Sequence, residues 1–81
     1  MNLYVANINF KATEDELRKK FQQFGTVNSV KILKDRETGK PRGIGFVEMS
    51  NKTEGENAIA GLNDYEFQGR KLTVRVANDR K

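Results

Sequence analysis

Four stretches of this chain alternate with a period of two, as half-buried strands do, and two others carry apolar residues at helical spacing. At 2–8, Leu3 and Val5 fall on one face, and Tyr4 and Ala6 on the other. At 42–49, Gly43, Gly45, Val47 and Met49 oppose Arg42, Ile44, Phe46 and Glu48. Val30 and Ile32 oppose Ser29, Lys31 and Leu33 at 27–34; Leu72, Val74 and Val76 oppose Lys71, Thr73 and Arg75 at 71–77. Thr13 opens the first helix with Glu16 three residues on, a capping-box pattern, and with acids in the first turn that complement the helix dipole. Leu17, Phe21 and Phe24 then face the core, and Gly25 stops the helix. Asn51 with Glu54 caps a second helix, whose inward face carries Gly55, Ala58, Ile59 and Leu62 and which ends at Asn63-Asp64. Gly55 there costs about 1 kcal/mol against alanine, which close packing on the sheet would offset. The charged stretch 35–41, closed by Gly39 and Pro41, is a turn.

The order is strand, helix, strand, strand, helix, strand. Two helices can cover only one face of such a sheet, so the other is left open. The expected class is therefore α+β, a ferredoxin-like βαββαβ sandwich, as one domain over 1–81. Repeats, linkers and low-complexity segments are absent.

The open face changes how the aromatics are read. Tyr4 and Phe46 lie opposite Leu3, Val5 and Val47, on the face a core would not use. A flat ring beside a guanidinium on an exposed sheet can stack an unpaired base. Arg42, Arg75, Lys31 and Lys71 share that face at strand positions and are candidates for phosphate pairing. Asn7 and Asn78, short amides near the platform ends, are candidates for base edges, with Asn7 also suited to a turn. The turn at 35–41 is a candidate clamp over the sheet edge through Arg36 or Lys40.

Composition narrows the chemistry. The 81 residues include neither cysteine nor histidine, which removes disulfides, thiolate metal sites and the commonest general base. No cofactor, metal or small-molecule substrate is expected. No apolar run is long enough to span a membrane, and the chain enters a strand-like run without a signal or transit peptide, so an intracellular, cytoplasmic protein is expected. The net charge is +4, and residues 69–81 carry the excess, with Arg70, Lys71, Arg75, Arg80 and Lys81 against Asp79. A basic closing segment beside an aromatic strand suits a polyanion. Gly43-Ile44-Gly45 is followed by a strand and by Glu48, not by the helix that a phosphate-binding glycine loop needs, so the two glycines are expected to let a helix pack closely on the sheet.

The octapeptide Arg42-Gly43-Ile44-Gly45-Phe46-Val47-Glu48-Met49 resembles the signature of the RNA recognition motif: basic, Gly, aromatic, Gly or Ala, Phe, Val, any residue, aromatic. Leu3-Tyr4-Val5-Ala6-Asn7-Ile8, the lead-in at 39–43 and the closing run at 68–77 are similar to the same family, so the likeness spans essentially the whole chain. It implies a strand order of 4-1-3-2, with the hexapeptide and octapeptide side by side. It also implies that Tyr4 stacks one base, Phe46 the neighbouring base, and that Arg42 pairs a phosphate. Ile44 stands where a family aromatic packs between two sugars, so it keeps apolar contact but loses the flat face; Met49 replaces the last aromatic on the inward side.

The resemblance implies a non-catalytic monomer that binds single-stranded RNA, with single-stranded DNA as a substitute in vitro. A protein-interaction module on the same fold is the alternative. The Arg-any-Phe element of one peptide-binding subgroup is missing from 68–72, and the platform aromatics are kept. A ferredoxin-like acyl phosphatase would need an arginine and an amide converging in a dry pocket, whereas Arg42 is placed on an open sheet. The strand opening directly after Met1 reads as a natural start, and the close at Lys81 as a boundary ahead of a glycine- and arginine-rich tail.

Overall fold

Strand β1 (Asn2–Ala6), helix α1 (Glu14–Gln22), strands β2 (Val27–Lys34) and β3 (Pro41–Met49), helix α2 (Lys52–Leu62) and strands β4 (Glu66–Phe67), β5 (Arg70–Lys71) and β6 (Thr73–Val76) follow in chain order. The computed structural model describes residues 1–77, apart from the side chains of Pro41 and Arg42. Four strands form an antiparallel sheet in the order β2-β3-β1-β6, the expected arrangement with the last strand beside the first and the first beside the third. The alternation holds in β1 and β3. Leu3, Val5, Val47 and Met49 are buried with Leu17 and Phe21 of α1 and Ala58 and Leu62 of α2 in one core. The molecule is 18 Å in its thinnest direction, the depth of one sheet and one helix layer. The opposite face of the sheet is open.

Local chemistry sets the helix ends. The Thr13 hydroxyl accepts from the Glu16 amide at 3.1 Å, and Glu16 Oε1 accepts from the Thr13 amide at 3.1 Å. Asn51 Oδ1 accepts from the Glu54 amide at 3.1 Å, but Glu54 does not close the box. Its carboxylate instead accepts from the Thr26 amide at 3.1 Å and ties the start of α2 to the approach to β2.

The closing segment differs from the alternation. Gln68 and Gly69, at φ of 53° and 86°, turn the chain between Phe67 and Arg70, so β4 and β5 pair as a small separate hairpin. Two consecutive left-handed residues are what a type I′ two-residue hairpin turn requires. The fourth strand of the sheet therefore begins at Thr73, and Lys71 pairs with Glu66 in the hairpin, not with the main sheet. Val76, expected inward, is 56% exposed. It lies on the edge strand beside Met1, Asn2 and Lys52, where α2 only begins.

Glycines act differently from expectation too. Gly55 makes room for the Met1 side chain, since a Cβ would come 2.5 Å from its sulfur. The chain start is pinned there by its ammonium, which donates to the Met49 carbonyl at 2.7 Å. Gly43 and Gly45 do not admit a helix. Gly43 has φ of 79° and accepts from the Ile8 amide at 2.9 Å, and Gly45 lies against the β2 backbone.

Each outer strand of the sheet has one edge amide taken by a side chain. The Ile32 amide of β2 donates to Glu14 Oε2 at 3.0 Å, and the Val74 amide of β6 donates to Asn63 Oδ1 at 3.0 Å.

Candidate nucleic-acid interface

Register aligns the proposed side chains across the open face. Lys31 pairs with Phe46, Phe46 with Tyr4, and Tyr4 with Arg75, so one row runs cation, ring, ring, cation over all four strands. The two ring centroids are 5.7 Å apart with planes inclined by 58°. Phe46 is 39% exposed and Tyr4 half-buried, since each ring packs against the other and keeps a face toward solvent. Lys31 and Arg75 are exposed at the two ends.

A second row, two residues along, holds Ile44 opposite Ala6, and Ala6 opposite Thr73. Ile44 thus stands beside the ring pair and not between the rings, which are direct cross-strand neighbours. A third row on the other side holds Asn2 opposite Glu48 and Glu48 opposite Ser29.

Other candidates are placed differently. Arg42 lies in β3, with its side chain outside the described part of the structure. Asn78 lies outside the described residues. Lys71 is exposed but belongs to the β4–β5 hairpin, because the turn at Gln68-Gly69 takes it out of the sheet. Asn7 is occupied within the molecule. Its amide donates to the Lys71 carbonyl at 2.7 Å, and its Oδ1 accepts from Arg70 Nε at 3.1 Å and Nη2 at 2.8 Å. With φ of 61°, Asn7 is a turn residue that breaks the alternation of β1, and Ile8 turns inward to 1% exposure. The 35–40 turn is closed on itself. Asp35 Oδ1 accepts from the Glu37 and Thr38 amides at 2.8 and 3.2 Å, and Arg36 and Lys40 are exposed.

The hairpin is fastened to the rest by polar side chains. Asn9 donates to the Gln68 carbonyl at 2.8 Å, and Gln68 Nε2 donates to Glu16 Oε1 at 2.8 Å. The Gln68 side chain, and after it the Thr13 backbone amide, hold the Glu16 carboxyl below its ordinary value. A carboxyl lowered by folding stabilises fully above its unfolded value and loses that effect as pH falls through the lowered one. Glu16→Gln is therefore expected to lose less thermal stability than the parent on acidification across the carboxylate range. Parallel melting curves of the two proteins at stepped pH would contradict the link.

Sequence reasoning missed Phe10 and Arg70. Phe10 is 59% exposed in the β1–α1 connection, at the mouth of a groove of about 550 Å³ lined also by Thr13, Glu14, Ile32 and Lys34. It lies outside any periodic run, so no pattern places it. The Arg70–Asn7 contact joins residues 63 apart, which no local signal encodes. Among the described residues no cluster of carboxylates could hold a metal ion, and no helix is long and apolar enough to cross a membrane.

Comparison with known proteins agrees with this fold. The RNA recognition motif family model matches residues 3–73, and the chain belongs to that family. RNA-binding protein RbpA of Nostoc sp. is 44% identical over 81 residues, covering all of this chain and 79% of RbpA. The crystal structure of RNA binding protein PG1 superposes with a TM-score of 0.94 at 48% identity, covering 100% of this chain and 98% of that one. A chain of an SXL-lethal protein/RNA complex superposes with a TM-score of 0.87 at 38% identity, over 94% of this chain and 47% of that one.

Proposed function

We propose that this domain binds a short single-stranded RNA on its open sheet and catalyses nothing. The observation that carries the reading is the row Lys31–Phe46–Tyr4–Arg75, which puts two adjoining rings between two cations. Family membership and relatives named for RNA binding support it. One base stacks on each ring, and the backbone passes the cations, which hold phosphate without reading sequence. Arg42 joins Lys31 and Arg75 as a third phosphate partner. Single-stranded DNA serves as a substitute in vitro. Asn7 contributes by holding the hairpin in place.

The test is a fluorescence titration of a labelled mixed-sequence RNA oligomer at several salt concentrations. With about three phosphate contacts at roughly 0.7 each, log affinity should fall with log salt at a slope near −2. Arg75→Gln should flatten the slope by about 0.7 and weaken unrelated sequences alike. A slope near zero contradicts the phosphate role and turns the reading toward a protein partner.

Ile44 gives a separate prediction. Its cross-strand partner is the small Ala6. Ile44→Phe is expected to tighten RNA binding by about 0.5–1.5 kcal/mol, the scale of an added aromatic contact. Because the site is half-buried on the open face, stability should change by less than about 1 kcal/mol. Weaker binding by the folded variant, on the same oligomer at one salt concentration, would show that the second row meets something other than ribose.

A further inference from the structure

The row Asn2–Glu48–Ser29 does not suit a phosphate. It adjoins the ring pair on the same open face, two residues along each strand, a step of about 7 Å. It places an exposed carboxylate on β3 in line with Phe46, and Ser29 on β2 in line with Lys31. A groove of about 390 Å³ opens there, lined by Asn2, Ser29, Lys31, Phe46 and Glu48, so the flank of the Phe46 ring and the Glu48 carboxylate share one depression. The Ser29 hydroxyl donates to Glu48 Oε1 at 3.4 Å and biases the carboxylate toward the sheet surface. A carboxylate has about four acceptor positions, so both oxygens can still accept.

Given RNA on the open face, we infer that Glu48, steadied by Ser29 and faced by Asn2, is a base-reading residue that selects guanine for the nucleotide stacked on Phe46. A base lying on that ring extends an edge into the groove, while its phosphate is turned toward Lys31 by the negative charge of Glu48. Ionised Glu48 only accepts hydrogen bonds, so it favours an edge made of donors. Guanine alone sets two donors side by side, N1–H and the N2 amino group, which match the two carboxylate oxygens. Adenine and cytosine offer one amino group next to a ring acceptor. Uracil offers N3–H between two carbonyl oxygens that the carboxylate repels. The amide of Asn2, across the row, can meet the guanine O6 carbonyl or a sugar hydroxyl.

The test uses the full chain and uridine tracts of about eight nucleotides, longer than the two or three bases that a sheet of this family stacks, each with a single central guanosine, adenosine, cytidine or inosine. The parent should bind the guanosine tract about tenfold more tightly than the all-uridine tract, the discrimination of one bidentate contact. Inosine, which lacks the 2-amino group, should fall between. Glu48→Gln offers one acceptor and one donor and should abolish the guanosine advantage. Its affinity for the all-uridine tract should be equal or higher, because a negative charge has left the face. A guanosine advantage retained in Glu48→Gln overturns the assignment, as does a parent that binds all tracts equally. A parent that binds no tract overturns the RNA-binding reading itself, and so is told apart from failure of the Glu48 assignment alone.

Discussion

Replacing both Tyr4 and Phe46 with alanine is expected to remove most RNA affinity from a domain that still folds. Each base stacked on an aromatic ring contributes about 1–3 kcal/mol by alanine substitution. Either single variant should therefore bind about 5- to 150-fold more weakly, since 1.4 kcal/mol is a factor of ten. The double variant should lose less than the sum, because the rings touch at a centroid distance of 5.7 Å and each positions the other. Folding should survive because neither ring belongs to the core cluster, which gathers on the opposite face around Leu3, Val5, Val47 and Val74. Titration beside a thermal melt separates the two effects. Parental affinity in the folded double variant would remove the open face from the binding site.

Gly45→Ala is expected to cost the most stability for the smallest change in side chain. A Cβ at Gly45 would sit 2.5 Å from the Lys31 carbonyl oxygen and 3.3 Å from Ile32 Cα, so it meets the backbone of the adjoining strand and not a movable side chain. Two strands of the sheet must part locally. Forcing extra volume into a packed site costs about 1–3 kcal/mol, which in a domain this size lowers the melting temperature by about 5–20 °C. The shift falls directly beneath the Lys31–Phe46 pair, so RNA affinity should drop with stability. Gly55→Ala is the matched contrast. Its Cβ meets the sulfur end of Met1, which can swing aside, and the helix gains up to about 1 kcal/mol in propensity. A Gly45→Ala melt no lower than that of Gly55→Ala would show that β2 and β3 yield more easily than their packing implies.

Both contrasts bear on what the chain makes legible. Alternation in β1 and β3 placed Tyr4 and Phe46 on the open face because burial on one side of a sheet enforces a strict period of two. The caps at Thr13 and Asn51 were legible because they are made within three residues. Two of the misplacements lie where the backbone turns left-handed, and that of Val76 lies at the sheet edge beyond the cover of α2. Asn7 in the left-handed region sends Ile8 to the core, and the left-handed pair Gln68-Gly69 removes Lys71 from the sheet. Asparagine and glycine tolerate that conformation without requiring it, so composition alone does not set it. The row itself was out of reach of pattern reading. Periodicity assigns faces, but only pairing register decides that Lys31, Phe46, Tyr4 and Arg75 stand abreast. Glu48 was visible on the open face as a charge; its meaning came from its neighbours, Asn2 and Ser29, which arrive from two other strands.

The side chains of Glu14 and Asn63 bear on the domain's behaviour at high concentration. An open four-stranded sheet ends in two rows of backbone donors and acceptors, and a strand from another copy could in principle zip onto either. At Ile32 the incoming strand would have to evict a carboxylate, and at Val74 the side-chain amide of Asn63, whose backbone N–H closes α2. Each eviction leaves a polar group to be satisfied elsewhere. Each flank of the sheet thus has one edge donor already committed within the domain, beside a broad face left open.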